Sequence, residues 1–171
     1  MPTTSSPSLT SADRGYPRPQ LRREPWRLLN GPWEFAIDET YRWRTPAEVA
    51  WAQTITVPFA PETEASGVHQ TGYMRACWYR RTVEPWPAGD HRVVLHFGAV
   101  DYRATVWVDE VLVATHEGGY TPFQCDITAF MQGRPVSLVV CAEDDPLDLA
   151  KPRGKQDWLP EPHSIWYPRS T

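Results

Sequence analysis

Residues 95–128 read LHFGAVDYRATVWVDEVLVATHEGGYTPFQCDIT, and this stretch decides the fold class. Its apolar side chains alternate with polar ones, first through Leu95 and Phe97 and then through Ala104, Val106 and Val108. Strict alternation is typical of a β-strand that buries one of its two faces. The stretch therefore predicts a series of paired strands, with almost no helical content.

Two breaks in the alternation predict the turns that join these strands. Asp109 and Glu110 separate one apolar run from the next, which predicts a tight hairpin even though neither residue is glycine. The sequence GGYTPF at residues 118–123 predicts a loop, because glycine adopts backbone angles that other residues avoid. Asp126 or Thr128 is expected to cap a short turn that follows.

Shorter alternating runs predict further strands on both sides of this stretch. Trp33 and Phe35 share one face of a first strand, and Glu34 and Asp38 are predicted on the other. One helical turn is expected near residues 46–49. Further strands are predicted at residues 54–57, 73–83, 92–97 and 136–141. The fold class expected from this pattern is all-β, an antiparallel β-sandwich.

The same residues resemble the signature of the N-terminal sugar-binding domain of glycoside hydrolase family 2, the β-galactosidase and β-glucuronidase family. Three further segments agree in the same order: LNGPWEF at residues 29–35, ITVPFAPE at 55–62 with WYRR at 78–81, and the run from RGKQDW to IWYPR at 153–169. The resemblance implies a jelly-roll sandwich, similar to galactose-binding domains.

The resemblance also implies a domain organisation. Residues 1–20 are rich in Ser, Thr and Pro and are predicted to be a disordered lead-in. Residues 21–171 would form the sugar-binding domain. In the family a long loop leads into one more strand, and the sequence stops before a segment of that kind. We therefore expect a domain that is truncated at its C-terminus and lacks its final strand.

Composition narrows the class of protein. The 171 residues suffice for one domain, and 18 prolines disfavour long helices. A formal charge of −4 gives no electrostatic reason to expect nucleic acid or an anionic membrane as a partner. The sequence contains neither an apolar run of membrane-spanning length nor a secretory signal pattern at its start.

The cysteines bear on the cellular compartment. Cys77, Cys125 and Cys141 are odd in number and widely spaced, which favours buried free thiols in a reducing cytoplasm. A disulfide between two of them is the alternative. The five histidines lack ligand spacing, the acidic loops lack a calcium-binding pattern, and no cofactor motif occurs, so neither a metal nor a cofactor is expected.

The resemblance implies retaining hydrolysis by two carboxylates that stand about 5 Å apart. In the family both glutamates lie in a later (β/α)8 barrel, and a barrel by itself requires about 250 residues. We therefore assign no catalytic residue to this chain and expect no hydrolysis by it alone.

The resemblance nevertheless implies polar contacts between this domain and the sugar. Aligning residues 136–140 with the corresponding β-galactosidase strand places Asp145 on a substrate-contacting aspartate, and Asp144 is the neighbouring candidate in register. A carboxylate suits this role because it accepts hydrogen bonds from two adjacent hydroxyl groups. The alternative is that these two residues only form a turn before Pro146.

Three further residues are candidates for substrate binding. Arg153 and Trp158 offer donors and a flat apolar ring to a sugar, or else belong to a loop that docks the barrel. Glu62 would contact sugar or form an ion pair with Arg80 or Arg81.

Another hypothesis is that Trp107 and Tyr120 form an aromatic platform for a sugar ring. The alternative is that these side chains pack in the sandwich in the ordinary way.

The sequence thus predicts a non-catalytic domain of a retaining family 2 β-glycosidase. It would support the barrel and line one side of the site for a β-glycoside. A free-standing carbohydrate-binding module is one alternative, and a complementing fragment that docks a separate catalytic chain is another.

Overall fold

A computed structural model describes residues 25–86, 89–145 and 147–152. The chain divides into two units, Met1–Asn30 and Gly31–Thr171. Within the first unit the described residues 25–30 form no helix or strand. The predicted lead-in, residues 1–20, lies outside the described part of the chain, as do residues 153–171.

All the described strands belong to the second unit. They are β1 (Gly31–Ile37), β2 (Gln53–Val57), β3 (Ala76–Val83), β4 (Val94–Phe97), β5 (Arg103–Val108), β6 (Val111–Glu117), β7 (Phe123–Asp126) and β8 (Val136–Glu143). Three short 3-10 helices accompany them, at Pro46–Glu48, Glu64–Ser66 and Thr128–Phe130. The first of these confirms the helical turn predicted near residues 46–49.

The strands form two antiparallel sheets. The larger has six strands in the order β2-β1-β3-β8-β5-β6, and the smaller pairs β4 with β7. The predicted all-β, antiparallel β-sandwich class is therefore confirmed.

The hairpin between β5 and β6 also forms as predicted. Asp109 and Glu110 both adopt positive φ angles, 48° and 66°. This is the backbone geometry of a two-residue turn that matches the twist of the flanking strands. Asp109 tolerates it because both its backbone N–H and its side chain are engaged: the N–H donates to the Ser137 carbonyl and Oδ1 accepts from the Ser137 N–H, each at 2.8 Å.

One face of the large sheet carries a stack of two indoles. Trp78 and Trp107 lie 5.2 Å apart between ring centroids, with their planes inclined by 19°. Ala36, Val139 and Cys141 are buried around them. The loop between β1 and β2 covers this cluster with its three aromatic side chains, Tyr41, Trp43 and Trp51.

Asp38, which was predicted on the face opposite Trp33 and Phe35, is buried because the loop covers that face. Its side chain is 1% exposed, and its Oδ2 accepts a hydrogen bond from the Trp43 N–H at 2.8 Å. Its backbone N–H donates to the Ala76 carbonyl, also at 2.8 Å. Asp38 thus connects the start of the covering loop to the first residue of β3 by a hydrogen bond. Alternation along one strand does not reveal this role.

The opposite face of the large sheet buries the residues that the alternation predicted. Phe35, Val106 and Val108 are completely inaccessible to solvent. The small sheet adds Leu95 and Cys125 to the buried apolar set. The large sheet is therefore buried on both of its faces along its central strands.

The two residues predicted to cap the turn after β7 bond to each other, while Ile127 occupies the N-cap position of the 3-10 helix Thr128–Phe130 and makes no side-chain capping bond. Asp126 Oδ1 accepts hydrogen bonds from the Thr128 N–H at 2.9 Å and from its hydroxyl at 2.5 Å. These bonds lower the pKa of Asp126. Thr128 Oγ1 in turn accepts a bond from the Val93 N–H at 2.8 Å, which ties the turn to the start of β4.

The three cysteines are free and buried, as predicted from their number and spacing. Burial raises the pKa of Cys77 to about 12 and that of Cys125 to about 11. Burial also raises the pKa of Cys141, with the Glu143 carboxylate as the second cause.

We expect Trp107→Ala to lower the free energy of unfolding by about 3–5 kcal/mol, because it removes half of the indole stack and leaves a cavity. Leu112→Ala is the control, since Leu112 is 55% exposed, and it should change stability by less than about 0.5 kcal/mol. Urea unfolding monitored by circular dichroism measures both. Equal losses in the two variants would contradict the packing described here.

The raised thiol pKa values predict loss of stability in alkali. An unfolded thiol ionises near pH 8.5, so the folded state binds more protons than the unfolded state above that pH. Stability is therefore complete below about pH 8.5 and declines as the pH rises through the folded pKa values. We expect the urea midpoint to fall from about pH 9 upward, and to fall less steeply in Cys77→Ala. Parallel pH profiles for the two proteins would refute this explanation.

Candidate functional site

Five strand ends meet at one edge of the large sheet. The register aligns Ala76 of β3 with Glu143 of β8, Glu143 with Arg103 of β5, and Arg103 with Glu117 of β6. The end of β1, at Ile37, lies at the same edge because it pairs with Cys77. Antiparallel pairing thus gathers charged residues that are far apart in sequence.

A cleft of about 360 Å³ opens at this edge. Its cationic lining residues are Arg75, Arg103 and Lys151. Its carboxylates are Glu117, Glu143, Asp145 and Asp148, and two tyrosines, Tyr41 and Tyr102, complete the polar lining. The cleft therefore offers hydrogen-bond donors, acceptors and aromatic rings together, which suits a polyhydroxylated ligand.

A closed network of three side chains forms one wall of the cleft. The Tyr41 hydroxyl donates to Glu143 Oε1, and Arg103 Nε donates to Glu143 Oε2 at 2.5 Å. Arg103 Nη2 also donates to the Tyr41 oxygen at 2.6 Å. Burial, and then the bond to Glu143, raise the pKa of Tyr41, while the bond to Glu143 raises that of Arg103. Such a network holds each member in one orientation.

Tyr41 is further fixed by cations near its ring. The guanidinium carbon of Arg44 lies 3.9 Å from the ring centroid, and that of Arg75 lies 5.7 Å away. Both are within the range of a cation–π interaction. Tyr41 itself has a φ angle of 53°, in the left-handed region. The covering loop thus delivers one preorganised phenol to the cleft.

Asp145 lies in the cleft, where the sequence analysis proposed a sugar contact. Its Oδ2 accepts a bond from Arg75 Nη2 at 2.7 Å, and its Oδ1 accepts from the Leu147 N–H at 2.9 Å. The side chain remains 29% exposed. The turn expected there is present, since Asp148 N–H donates to the Asp145 carbonyl at 3.2 Å. The two interpretations are compatible, and sugar contact by Asp145 stays a prediction.

The neighbouring candidate, Asp144, takes a different position. Its N–H donates to the Arg75 carbonyl at 3.0 Å, and its Oδ1 lies 3.8 Å from Lys151 Nζ. Asp144 is not among the residues that line the cleft, but its carboxylate forms an ion pair with Lys151, which does line it.

Glu62 lies away from the cleft lining. Arg80, which was one of its two expected ion-pair partners, donates from Nε and Nη2 to Glu34 at 2.6 and 2.7 Å. These bonds lower the pKa of Glu34. Burial is the main cause of the raised pKa of the Cys77 thiol, and the charge of Glu62 raises it further. The other two candidates, Arg153 and Trp158, lie outside the described residues.

Trp107 packs in the core and is 8% exposed, which confirms packing as its role rather than a platform with Tyr120. Tyr120 is 61% exposed in the glycine loop. Beside that loop the rings of Phe97 and His116 stack on the two sides of Phe123, each 4.5 Å from it.

The glycine loop is a tight backbone fit. Gly118 has a φ angle of 123°, where other residues are strained. A Cβ atom added to Gly119 would overlap the carboxylate of Asp101, which is 9% exposed. The sequence thus places glycines where the chain must pass a buried carboxylate.

The described residues contain no cluster of three His, Cys, Asp or Glu side chains that would hold a metal ion. Among the same residues, no helix is long and apolar enough to span a membrane.

Several lining residues were not predicted from the sequence: Tyr41, Arg75, Tyr102, Arg103, Glu117, Glu143, Asp148 and Lys151. A usable signal existed for one pair, since Arg103 begins a strand and Glu143 ends one. Their contact follows once β5 and β8 are known to be antiparallel neighbours. Glu117 ends β6, and the other lining residues come from loops whose paths carry no periodic pattern.

We expect Glu143→Gln to destabilise the protein by about 1–2 kcal/mol, because an amide cannot accept from both Tyr41 and Arg103 through two charged oxygens. Glu117→Gln is a matched control on the next strand, which makes the same charge change without breaking this network. It should cost less than about 0.5 kcal/mol. Chemical unfolding of both variants measures the difference, and equal effects would argue against the network.

Comparison with known proteins places these observations in a family. Residues 26–147 match the family described as "Glycosyl hydrolases family 2, sugar binding domain". The β-glucuronidase of Felis catus is 34% identical over 136 residues, which cover 71% of this chain and 21% of that protein. The β-glucuronidase of Paenibacillus borealis is 31% identical over 118 residues, covering 66% and 20%.

Solved structures agree with this assignment. The Faecalibacterium prausnitzii β-glucuronidase superposes with a TM-score of 0.54 at 36% identity, over 67% of this chain and 20% of that one. A Bifidobacterium dentium β-glucuronidase complexed with coumarin-3-O-glucuronide gives a TM-score of 0.59 over 67% of this chain and 19% of that one. At 21% identity this second likeness shows the fold alone.

The chain spans about a fifth of the length of the curated relatives it matches. It belongs to the family of sugar-binding domains of the family 2 glycosyl hydrolases.

Proposed function

We propose that this chain serves as the non-catalytic sugar-binding domain of a retaining family 2 β-glycosidase, which it supports and whose sugar site it lines on one side. The observation that carries this proposal is the charged cleft at one end of the large sheet. Its carboxylates and guanidinium groups are held in place by Arg75–Asp145 and by the Tyr41–Arg103–Glu143 network. Fixed donors and acceptors of this kind are what a rigid polyol ligand requires.

The catalytic step belongs to another part of the enzyme in this proposal. Retaining hydrolysis requires an acid and a nucleophile about 5 Å apart on opposite sides of a glycosidic bond. The barrel that carries them in the family requires about 250 residues, more than the 171 present here. This chain would contribute positioning and polar contacts to the reaction.

The names of the relatives support a proposal for the substrate class of the whole enzyme. Those compared above are named β-glucuronidases, so a β-glucuronide is the first candidate among β-glycosides. Asp145 is the proposed sugar contact of this domain, because it lies in the cleft and retains an exposed edge. Asp144, Glu62, Arg153 and Trp158 remain proposed contacts of lower rank.

The buried free thiols support a reducing compartment, and we propose the cytoplasm as the location. Carbohydrate and the catalytic barrel are the proposed partners. Neither a nucleic acid nor a membrane is proposed.

The sharpest test is a chimera. The matching domain of the Faecalibacterium prausnitzii β-glucuronidase is replaced by residues 26–171 of this chain, and hydrolysis of a chromogenic β-glucuronide is measured. We expect the chimera to hydrolyse the substrate, the parent without its domain to be inactive, and this chain alone to be inactive. Asp145→Asn in the chimera should raise KM or lower kcat by about tenfold, the value of a charged hydrogen bond.

Asp90→Asn, in an exposed turn before β4, is the control for this substitution and should leave hydrolysis unchanged. A folded chimera that is no more active than the domain-deleted parent would refute the proposed function. Binding of a simple sugar by this chain alone with a dissociation constant of about 1 μM on calorimetric titration would instead favour a free-standing carbohydrate-binding module, because a domain that supplies only one side of a sugar site should bind far more weakly.

A further inference from the structure

We propose that the cleft accepts a neutral or amino-bearing part of a glycoside and rejects a carboxylate. This inference rests on the proposed function only in taking a sugar as the ligand of the cleft. It concerns which charge that ligand carries where it meets this domain. The charges that line the cleft are already largely paired within the chain, and this pairing determines which charge on a ligand is attracted.

Each cation of the described lining is engaged by a carboxylate of the chain. Arg75 Nη2 lies 2.7 Å from Asp145 Oδ2. Arg103 is bonded to Glu143 through Nε and to Tyr41 through Nη2. An incoming carboxylate would have to displace a carboxylate that is already in place, so these arginines give it little net attraction.

Lys151 is engaged in two ways. Its Nζ lies 3.8 Å from Asp144 Oδ1 and 5.1 Å from the centroid of the Tyr102 ring. Its side chain is only 17% exposed, which leaves little of the ammonium group open to a ligand. The third cation is therefore held against the wall of the cleft.

Two carboxylates of the lining have no ion pair within the described residues. Glu117 is exposed at the end of β6. Asp148 accepts a hydrogen bond from the Ala150 N–H at 3.0 Å through Oδ1, which leaves its charge uncompensated. Among the described lining residues, four carboxylates thus face three cations, so the net charge of these residues is negative.

This balance favours ligands that donate hydrogen bonds. Sugar hydroxyls donate to carboxylates such as Glu117, and an ammonium group adds attraction to the same oxygens. A uronate would place a third unpaired negative charge beside those of Glu117 and Asp148. Like charges repel each other even in a partly hydrated cleft. In a β-glucuronidase, the sugar carboxylate would then be bound by residues outside this domain.

The test is a titration of the isotopically labelled chain with three methyl β-glycosides at millimolar concentration. These are the glucoside, the glucosaminide and the glucuronide, and the readout is the shift of backbone amide signals at Arg103, Glu117 and Asp145. We expect the glucosaminide to bind about fivefold more tightly than the glucoside, and the glucuronide about fivefold more weakly. A fivefold change in affinity is what one unpaired charge contributes when it interacts with a partly exposed carboxylate.

Two variants make the test specific to the cleft. Glu117→Gln should reduce the preference for the glucoside over the glucuronide by about half, and Asp148→Asn should act in the same direction. The control is Glu110→Gln, which makes the same charge change at the β5–β6 turn, at the other end of these strands. It should leave the preference unchanged.

Binding of the glucuronide as tight as that of the glucoside would overturn the inference, and so would the absence of shifts at the cleft with all three sugars. Either result is distinguishable from failure of the proposed function, which is judged by the activity of the chimera.

Discussion

The fold depends on the requirement that the central strands of one sheet be buried on both sides. On one side the small β4–β7 sheet completes the sandwich, as is usual for two packed layers of strands. On the other side the described residues form no second sheet, and a loop covers the stacked indoles of Trp78 and Trp107. Exposure of two indoles would cost much of the stability of a small domain. Their burial therefore stabilises the packing of the loop against the sheet.

The need to cover those indoles also shapes the cleft. The covering loop begins at Asp38, whose buried carboxylate holds the Trp43 N–H, and Tyr41 lies between these two residues. Tyr41 therefore reaches the edge of the sheet, where it meets Arg103 and Glu143. Packing on one face and polar organisation at one edge are thus consequences of the same loop.

The cleft differs from an ordinary charged surface because hydrogen bonds fix the orientations of its charged side chains. Exposed ion pairs contribute little to stability when their side chains are free to move. Here Glu143 accepts from two partners and Asp145 accepts from a guanidinium group and a backbone N–H, so both carboxylates have fixed orientations. Preorganisation of this kind lowers the cost of binding, because the polar groups are ordered before a ligand arrives.

The strands, the hairpin and the class of fold were predictable from the amino-acid sequence, because alternation and turn chemistry are local properties of the chain. Asp109 and Glu110 were recognisable as a turn, and the resemblance to family 2 sugar-binding domains was carried by contiguous motifs. Which charged residues meet depends on the packing of the strands and could not be predicted from local patterns. Arg103 and Glu143 are forty positions apart, and their contact depends on the neighbour relations of the strands. Asp38 followed the polar side of an alternating pattern, yet it is buried, because the burial of a strand face depends on what covers it.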